Sequence, residues 1–203
     1  MRRHAVAAGL SMMVLAWAAP ASASTRTVSA VNFSFSPTPV RVAQGTTVEW
    51  KNNATSTNHT ATQDDTLDLW DTGTVTPGST ADVTLVSAGV YLYHCKFHGG
   101  NGGVGMSGVV KVPVKVSPTS GKVGDTFTIT LSTAGAPTGF SFDVQQRMGT
   151  GPWQKFRHGT KAMSLPFTPQ APGTYAFRSR IRRISNGGHS NYSPQGTITV
   201  SAA

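Results

Sequence analysis

Short runs of alternating apolar and polar residues, each cut off by a turn signal, constrain this chain more than any other feature. In "TTVEWKN", Val48 and Trp50 share one face, and Thr47, Glu49 and Lys51 share the other. Phe127, Ile129 and Leu131 alternate in the same way, as do Phe140, Phe142 and Val144. "GTYAFRSRIRR" sets Tyr175, Phe177 and Ile181 against Arg178, Arg180 and Arg182. A period of two is the repeat of a strand with one buried face. "AQGT", "TPGS" and "SAGV" separate the runs, and no amphipathic helix follows the first 23 residues. The fold class expected is all-β, built of β-sandwiches.

The N-terminus, MRRHAVAAGLSMMVLAWAAPASAS, has a different character. Arg2 and Arg3 precede an apolar stretch from Ala5 to Ala19, and Ala21-Ser22-Ala23 offers small residues for cleavage. Residues 1–23 therefore read as a secretory signal peptide cut after Ala23, too short to span a membrane. The mature chain is expected outside the cytoplasm, secreted or in the cell envelope.

About 180 residues remain after that cut, enough for one large or two small domains. Charge divides them. Residues 24–112 hold five basic and six acidic residues; 113–203 hold ten basic residues against Asp125 and Asp143. The break falls near "VKVPVKVSP", so the expected domains are 24–112 and 113–203. Strand candidates in the first are "TVSAVNFSF", "PVRVAQGTTVEWKN", "STADVTLV", "GVYLYHC" and "MSGVVKV". In the second they are "VKVSP", "DTFTITLS", "FSFDVQQRM", "WQKFRHG", "KAMSLPFTP", "GTYAFRSRIRRIS" and "GTITVSA".

The chemistry lies in "YHCKFHGGNGGVGM". Cys95 is the only cysteine of the chain. Outside the cytoplasm a lone thiol has no internal disulfide partner, so it is expected to be reactive, intermolecular or ligating. His98 follows three residues later, and Met106 after seven more. A second imidazole comes from elsewhere, and His59 in "STNHTATQ" supplies it. Two His, one Cys and a weak axial Met form the donor set of a blue-copper electron-transfer site. A structural zinc site uses more Cys or His and rarely Met. A nucleophilic Cys–His pair needs an orienting third group. "CxxH" alone would fit an inert buried thiol, and Met106 alone would fit a core methionine.

"FSFSPTPVRVAQGTTVEWKNNATSTNHTAT" followed by "GVYLYHCKFHGGNGGVGMSGVVKV" resembles the plastocyanin-like cupredoxins over about 90 residues. The resemblance implies a Greek-key sandwich in which His59, Cys95, His98 and Met106 hold one type 1 copper ion. It departs from the family in the longer, glycine-rich run between His98 and Met106. Asn58 and Thr60 are candidates for hydrogen bonds that orient the ligand loop. His98, beside a flat patch at Gly99, Gly100, Gly102, Gly103 and Val104, is the expected electron port to a redox partner protein. The acidic run "TQDDTLDLWD" reads as a solvated loop or a steering patch for a basic partner.

The second half carries no such constellation. Its "GTYAFRSRIRR" strand and "GGHSNYSPQ" turn resemble the end of a fibronectin type III domain, or another immunoglobulin-like sandwich, though Trp153 is not on the early strand where that family usually keeps it. His158 and His189, with no carboxylate nearby in sequence, read as surface residues. Arg178, Arg180 and Arg182, with Lys155, Arg157 and Lys161, suggest a basic docking face for anionic wall polymer, membrane surface or an acidic redox partner. Nucleic acid is not expected, since no recognition motif is present. The expected function is one-electron carriage without substrate turnover. Envelope copper carriage or buffering, and metal-free surface adhesion, are the alternatives. A multicopper oxidase or copper nitrite reductase would need further histidine clusters.

Overall fold

The computed structural model describes residues 24–64 and 67–203. The signal peptide expected over 1–23, and Asp65 of the acidic run, lie outside the described residues. Among the described residues there are strands and no helix, as the period-two patterning requires.

The first eight strands are β1 (Thr25–Val31), β2 (Ser34–Ser36), β3 (Val40–Arg41), β4 (Thr46–Asn52), β5 (Thr62–Gln63), β6 (Thr80–Leu85), β7 (Gly89–Gly100) and β8 (Val104–Val112). They form two four-stranded sheets, ordered β2-β1-β4-β6 and β3-β8-β7-β5. Val28, Val48, Trp50, Tyr91, Tyr93 and Val110 fill the space between them. Trp50 sits at the centre, its ring 5.4 Å from that of Tyr93 and 6.1 Å from that of Trp70.

The next eight are β9 (Lys115–Ser117), β10 (Ser120–Lys122), β11 (Phe127–Thr130), β12 (Phe140–Met148), β13 (Gln154–Thr160), β14 (Ser164–Phe167), β15 (Gly173–Arg183) and β16 (Gly196–Ser201). Their sheets run β10-β16-β15-β12-β13 and β14-β11-β9. The alternation of "GTYAFRSRIRR" is realised: Phe177 and Ile181 are buried and the three arginines lie on the other face. That face is not a row of free cations. Arg178 lies 4.3 Å over the Trp153 ring and 4.5 Å over that of Tyr192, and both its Nε and Nη2 donate to Gln145 Oε1. Arg180 stacks on Tyr192 and bonds to the buried Asp143. His158 is exposed, as expected, but its Nδ1 lies 2.8 Å from Asp143 Oδ1, a carboxylate fifteen places away in sequence.

The two sandwiches share backbone bonds. Val90 and Asn191 exchange N–H···O bonds of 3.0 and 3.1 Å, and Ala88 N donates to Leu131 O at 2.8 Å. Gln44 Nε2 donates to Pro113 O and to Thr130 O.

Three features differ from the sequence reading. "TVSAVNFSF" is two strands joined at Asn32 and Phe33, with φ of 51° and 62°. Two successive positive φ values make the mirror-image turn that suits a two-residue hairpin, and Asn tolerates that region. The two-residue strand β5 carries no period to detect. The acidic run is also packed: Leu67 is fully buried and Asp64 and Trp70 are each 9% exposed, so most of it is no solvated loop.

Candidate metal centre

β7 and β8 pair in regular register up to His94 opposite Ser107, and resume with Gly99 opposite Gly105. Four residues, Cys95 to His98, therefore stand against Met106 alone. Such a bulge is what the ligand spacing requires. In a regular strand residues three apart face opposite sides, and an irregularity re-aims the side chain. Cys95 and His98 thereby reach one spot.

Two glycines let the chains cross there. A Cβ at Gly99 would lie 2.5 Å from Met106 O and 2.8 Å from Val104 O. Gly105 has φ of +61°, and its Cβ would collide with His98 O. The glycine-rich run between His98 and Met106 is thus the tip of a paired hairpin.

His59 arrives from the other sheet's side. His59 N donates to Val75 O (3.1 Å) and Val75 N to His59 O (2.8 Å). The buried Asn52, at the end of β4, holds both flanks of that loop: its Nδ2 donates to Thr57 O and Val75 O, each at 2.8 Å. Sequence reading missed Asn52, which looks like an ordinary turn residue.

The result is a group of three donors, His59, Cys95 and His98, whose ligating atoms lie within 4.8 Å of one another. Cys95 Sγ is 3.4 Å from His98 Nδ1 and 3.8 Å from His59 Nδ1. Metal bonds of about 2.0–2.1 Å to imidazole and about 2.3 Å to thiolate, set tetrahedrally, put N and S about 3.6 Å apart. The observed edges bracket that value, so the donor set fits a single ion of this size. Met106 is buried on the inner face of β8, at the same hairpin.

The sulfur is enclosed and hydrogen-bonded. Cys95 is fully buried, and Thr60 N donates to its sulfur at 3.4 Å. Thr60 Oγ1 accepts from Lys96 N at 2.9 Å, tying the His59 loop to β7. Asn58, the other candidate for this role, is exposed. Burial, and then the nearby His98 imidazole, hold His59 below its ordinary pKa. A neutral ring is the ligating form.

His94, beside Cys95, is not one of this group and is engaged elsewhere. Its Nδ1 lies 3.0 Å from Asp64 Oδ1, both residues being buried. Asp64 Oδ2 accepts from Gly102 N at 2.9 Å, at the hairpin tip. Asp71 bonds Lys96 Nζ at 2.5 Å, which draws its carboxyl below the usual range.

His98 is half-buried, and its edge is not bordered by glycine alone. The Phe33 ring lies 4.6 Å from it, edge-on, and the Phe97 ring 6.1 Å away. Phe33, Phe97 and Val104 are 59%, 55% and 65% exposed, so two aromatic rings join the glycine and Val104 patch expected from the sequence in an apolar collar.

A family model described as a cupredoxin-like domain matches residues 4–104, a span that includes His59, Cys95 and His98 and stops short of Met106. Solved structures resemble part of the chain. A novel purple cupredoxin from Nitrosopumilus maritimus is 26% identical over 38% of this chain and 80% of its own, with a TM-score of 0.33. A reduced proline-to-phenylalanine variant of amicyanin is 24% identical over 45% of this chain and 82% of its own, at 0.37. A reduced tryptophan-to-tyrosine variant of amicyanin is 21% identical over 45% and 84%, at 0.36. No curated protein matches the chain in sequence.

Proposed function

We propose that the cupredoxin-like domain matched in residues 4–104 holds one copper ion of type 1 and carries single electrons outside the cytoplasm. The observation that carries this reading is the convergence of one buried thiol and two imidazoles at edges that fit one ion. His59, Cys95 and His98 are the strong ligands, and Met106 is the weak axial one. Copper would supply a one-electron Cu(II)/Cu(I) couple at this set.

The chain's own residues explain why the couple would run without large rearrangement. The bulge and the Gly99–Gly105 crossing bring Cys95 and His98 together on one hairpin. Asn52 and the Val75 bridge fix His59 from its own side. The amide of Thr60 donates to the Cys95 sulfur and helps fix its position. Full burial of Cys95 keeps water from the sulfur. His98, the half-exposed donor, is the electron port, and a partner would land on Phe33, Phe97 and Val104.

On this reading the chain is a carrier, not an enzyme, exported after cleavage near Ala23. The second sandwich, taken as fibronectin type III-like, serves as a basic docking module. Arg178 and Arg180 are engaged within it, which leaves Arg182, Lys155, Arg157 and Lys161 as the charges offered to an anionic polymer, membrane or acidic partner.

The test is a visible absorption titration with Cu(II), with Cys95→Ser alongside. An intense thiolate-to-copper band that saturates at one equivalent, bleaches with ascorbate and is absent in the variant is expected. Colourless binding would instead favour copper carriage, and no binding would leave an adhesive sandwich pair.

A further inference from the structure

Three of the four proposed ligands sit on the β7–β8 hairpin, whose tip is made of glycines. Gly102, Gly103 and Gly105 have φ of 75°, 87° and 61°. Such a tip has little rigidity of its own. A cleft of about 330 Å³ opens between the two sandwiches, lined by Gln63, Asp64, Asn101, Gly102, His189 and Asn191. Besides its own ladder, Gly99 opposite Gly105 and Gly100 opposite Val104, the tip is held by a specific side-chain bond at that cleft's rim.

That bond begins a continuous path into the second sandwich. Asp64 Oδ2 accepts from Gly102 N, and Asp64 N donates to Leu92 O on β7 at 3.1 Å. Leu67 N donates back to Asp64 O at 3.3 Å. Gln63 Oε1 accepts from Leu69 N, and Gln63 N donates to Trp70 O, so Gln63 and Asp64 are tied to residues 67–70. Arg183, at the end of β15, grips this segment from the other sandwich. Its Nε donates to Leu67 O at 3.1 Å, and its Nη2 donates to Leu67 O and to Asp68 O. Its guanidinium rests 5.1 Å over the Phe140 ring and 3.7 Å from Asp68 Oδ2. Asp68 is held in the left-handed region, φ 52°, at the point of grip.

We infer that Asp64 and Arg183 are positioning residues through which the second sandwich braces the metal-binding hairpin. The second sandwich is then part of the metal centre's scaffold as well as any docking module. A planar five-donor fork on a rigid strand suits this role, since it reads two carbonyls in one fixed orientation. The consequence for copper rests on the metal-centre reading; the brace itself does not.

The test uses the full mature chain, first without metal. Amide hydrogen exchange is followed at Gly102 and, as internal controls, at buried amides of β4 and β12. Arg183→Ala is expected to speed exchange at Gly102 by about tenfold or more, the loss of one charge-assisted bond, with the controls unchanged. Arg183→Lys, which keeps the charge without the fork, should fall between. Asp64→Asn, which keeps the size but weakens the acceptor for Gly102 N, should reproduce the effect without touching the second sandwich. With copper added, the same variants should release the ion faster to a chelator and shift the charge-transfer band. Unchanged exchange at Gly102 in both Arg183→Ala and Asp64→Asn would overturn the inference. So would equal acceleration everywhere, which would mean a general loss of stability. The metal-free result stands whether or not the protein turns blue, so failure of the brace and failure of the copper reading are separable.

Discussion

Adding a single methyl group at Gly105, and another at Gly100, separates steric need from mere sequence fashion in the ligand hairpin. At Gly105 two penalties combine. A non-glycine residue at φ of +61° costs about 1–2 kcal/mol in backbone strain. The new Cβ would also press on His98 O and sit 3.1 Å from Gly99 Cα, backbone atoms that cannot rotate away. Overpacking of this kind adds about 1–3 kcal/mol. Gly105→Ala should therefore destabilise the metal-free protein by about 2–5 kcal/mol, a large share of a typical 5–15 kcal/mol domain stability. At Gly100 no atom lies within 4 Å of the added Cβ and φ is ordinary. Gly100→Ala should be neutral, or slightly stabilising through the unfolded chain. Denaturant titration followed by tryptophan fluorescence reads both, since Trp50 and Trp70 report on this sandwich. If Gly105→Ala fell within about 0.5 kcal/mol of the parent, or Gly100→Ala were equally harmful, the crossing would not be the constraint argued here.

Further expectations follow from the same geometry. Asn52→Ala should cost about 2–4 kcal/mol, because it leaves Thr57 O and Ala54 N without their Asn52 partner and removes one of the two donors to Val75 O; the denaturation midpoint checks it. His59 has a folded-state pKa below its ordinary 6.5, so the unfolded chain takes up a proton first as pH falls. Metal-free stability should thus decline below about pH 6.5 and level off beneath the folded-state value, a slope that His59→Gln should reduce. Tyr93 runs the other way: burial pushes its phenol up to about 12, so stability should fall once the unfolded chain ionises above its ordinary 10.0. Trp153→Ala removes the ring between Arg147 and Arg178 and should lower stability by about 1–2 kcal/mol, read by thermal melting.

How much of this was legible in the sequence depends on the range of the interaction concerned. Strands with one buried face announce themselves locally, so β4, β11, β12 and β15 could be read from a few residues each. The donors around Cys95 could be named because their chemistry is scarce: one thiol, and few imidazoles. What sequence reading could not see was set by partners far along the chain. The turn at Asn32 and Phe33 is hidden inside an alternating run, yet it places an aromatic ring against His98. Asp64 reads as one acid among four, and only the fold shows it joining His94 to Gly102. Arg183 reads as the last of a basic series, and its grip on Leu67 spans 116 residues. The basic face of β15 was located correctly, but the Trp153 and Tyr192 rings that cover two of its arginines come from separate turns.

The account stands most directly on what surrounds the metal. X-ray absorption at the copper edge, on the mature protein loaded with one equivalent and measured oxidised and then reduced, reads that sphere. The account predicts one thiolate sulfur and two imidazole nitrogens in both states, with little change in distance between them. A sphere of nitrogen and oxygen alone, or one that reorganises on reduction, would contradict it.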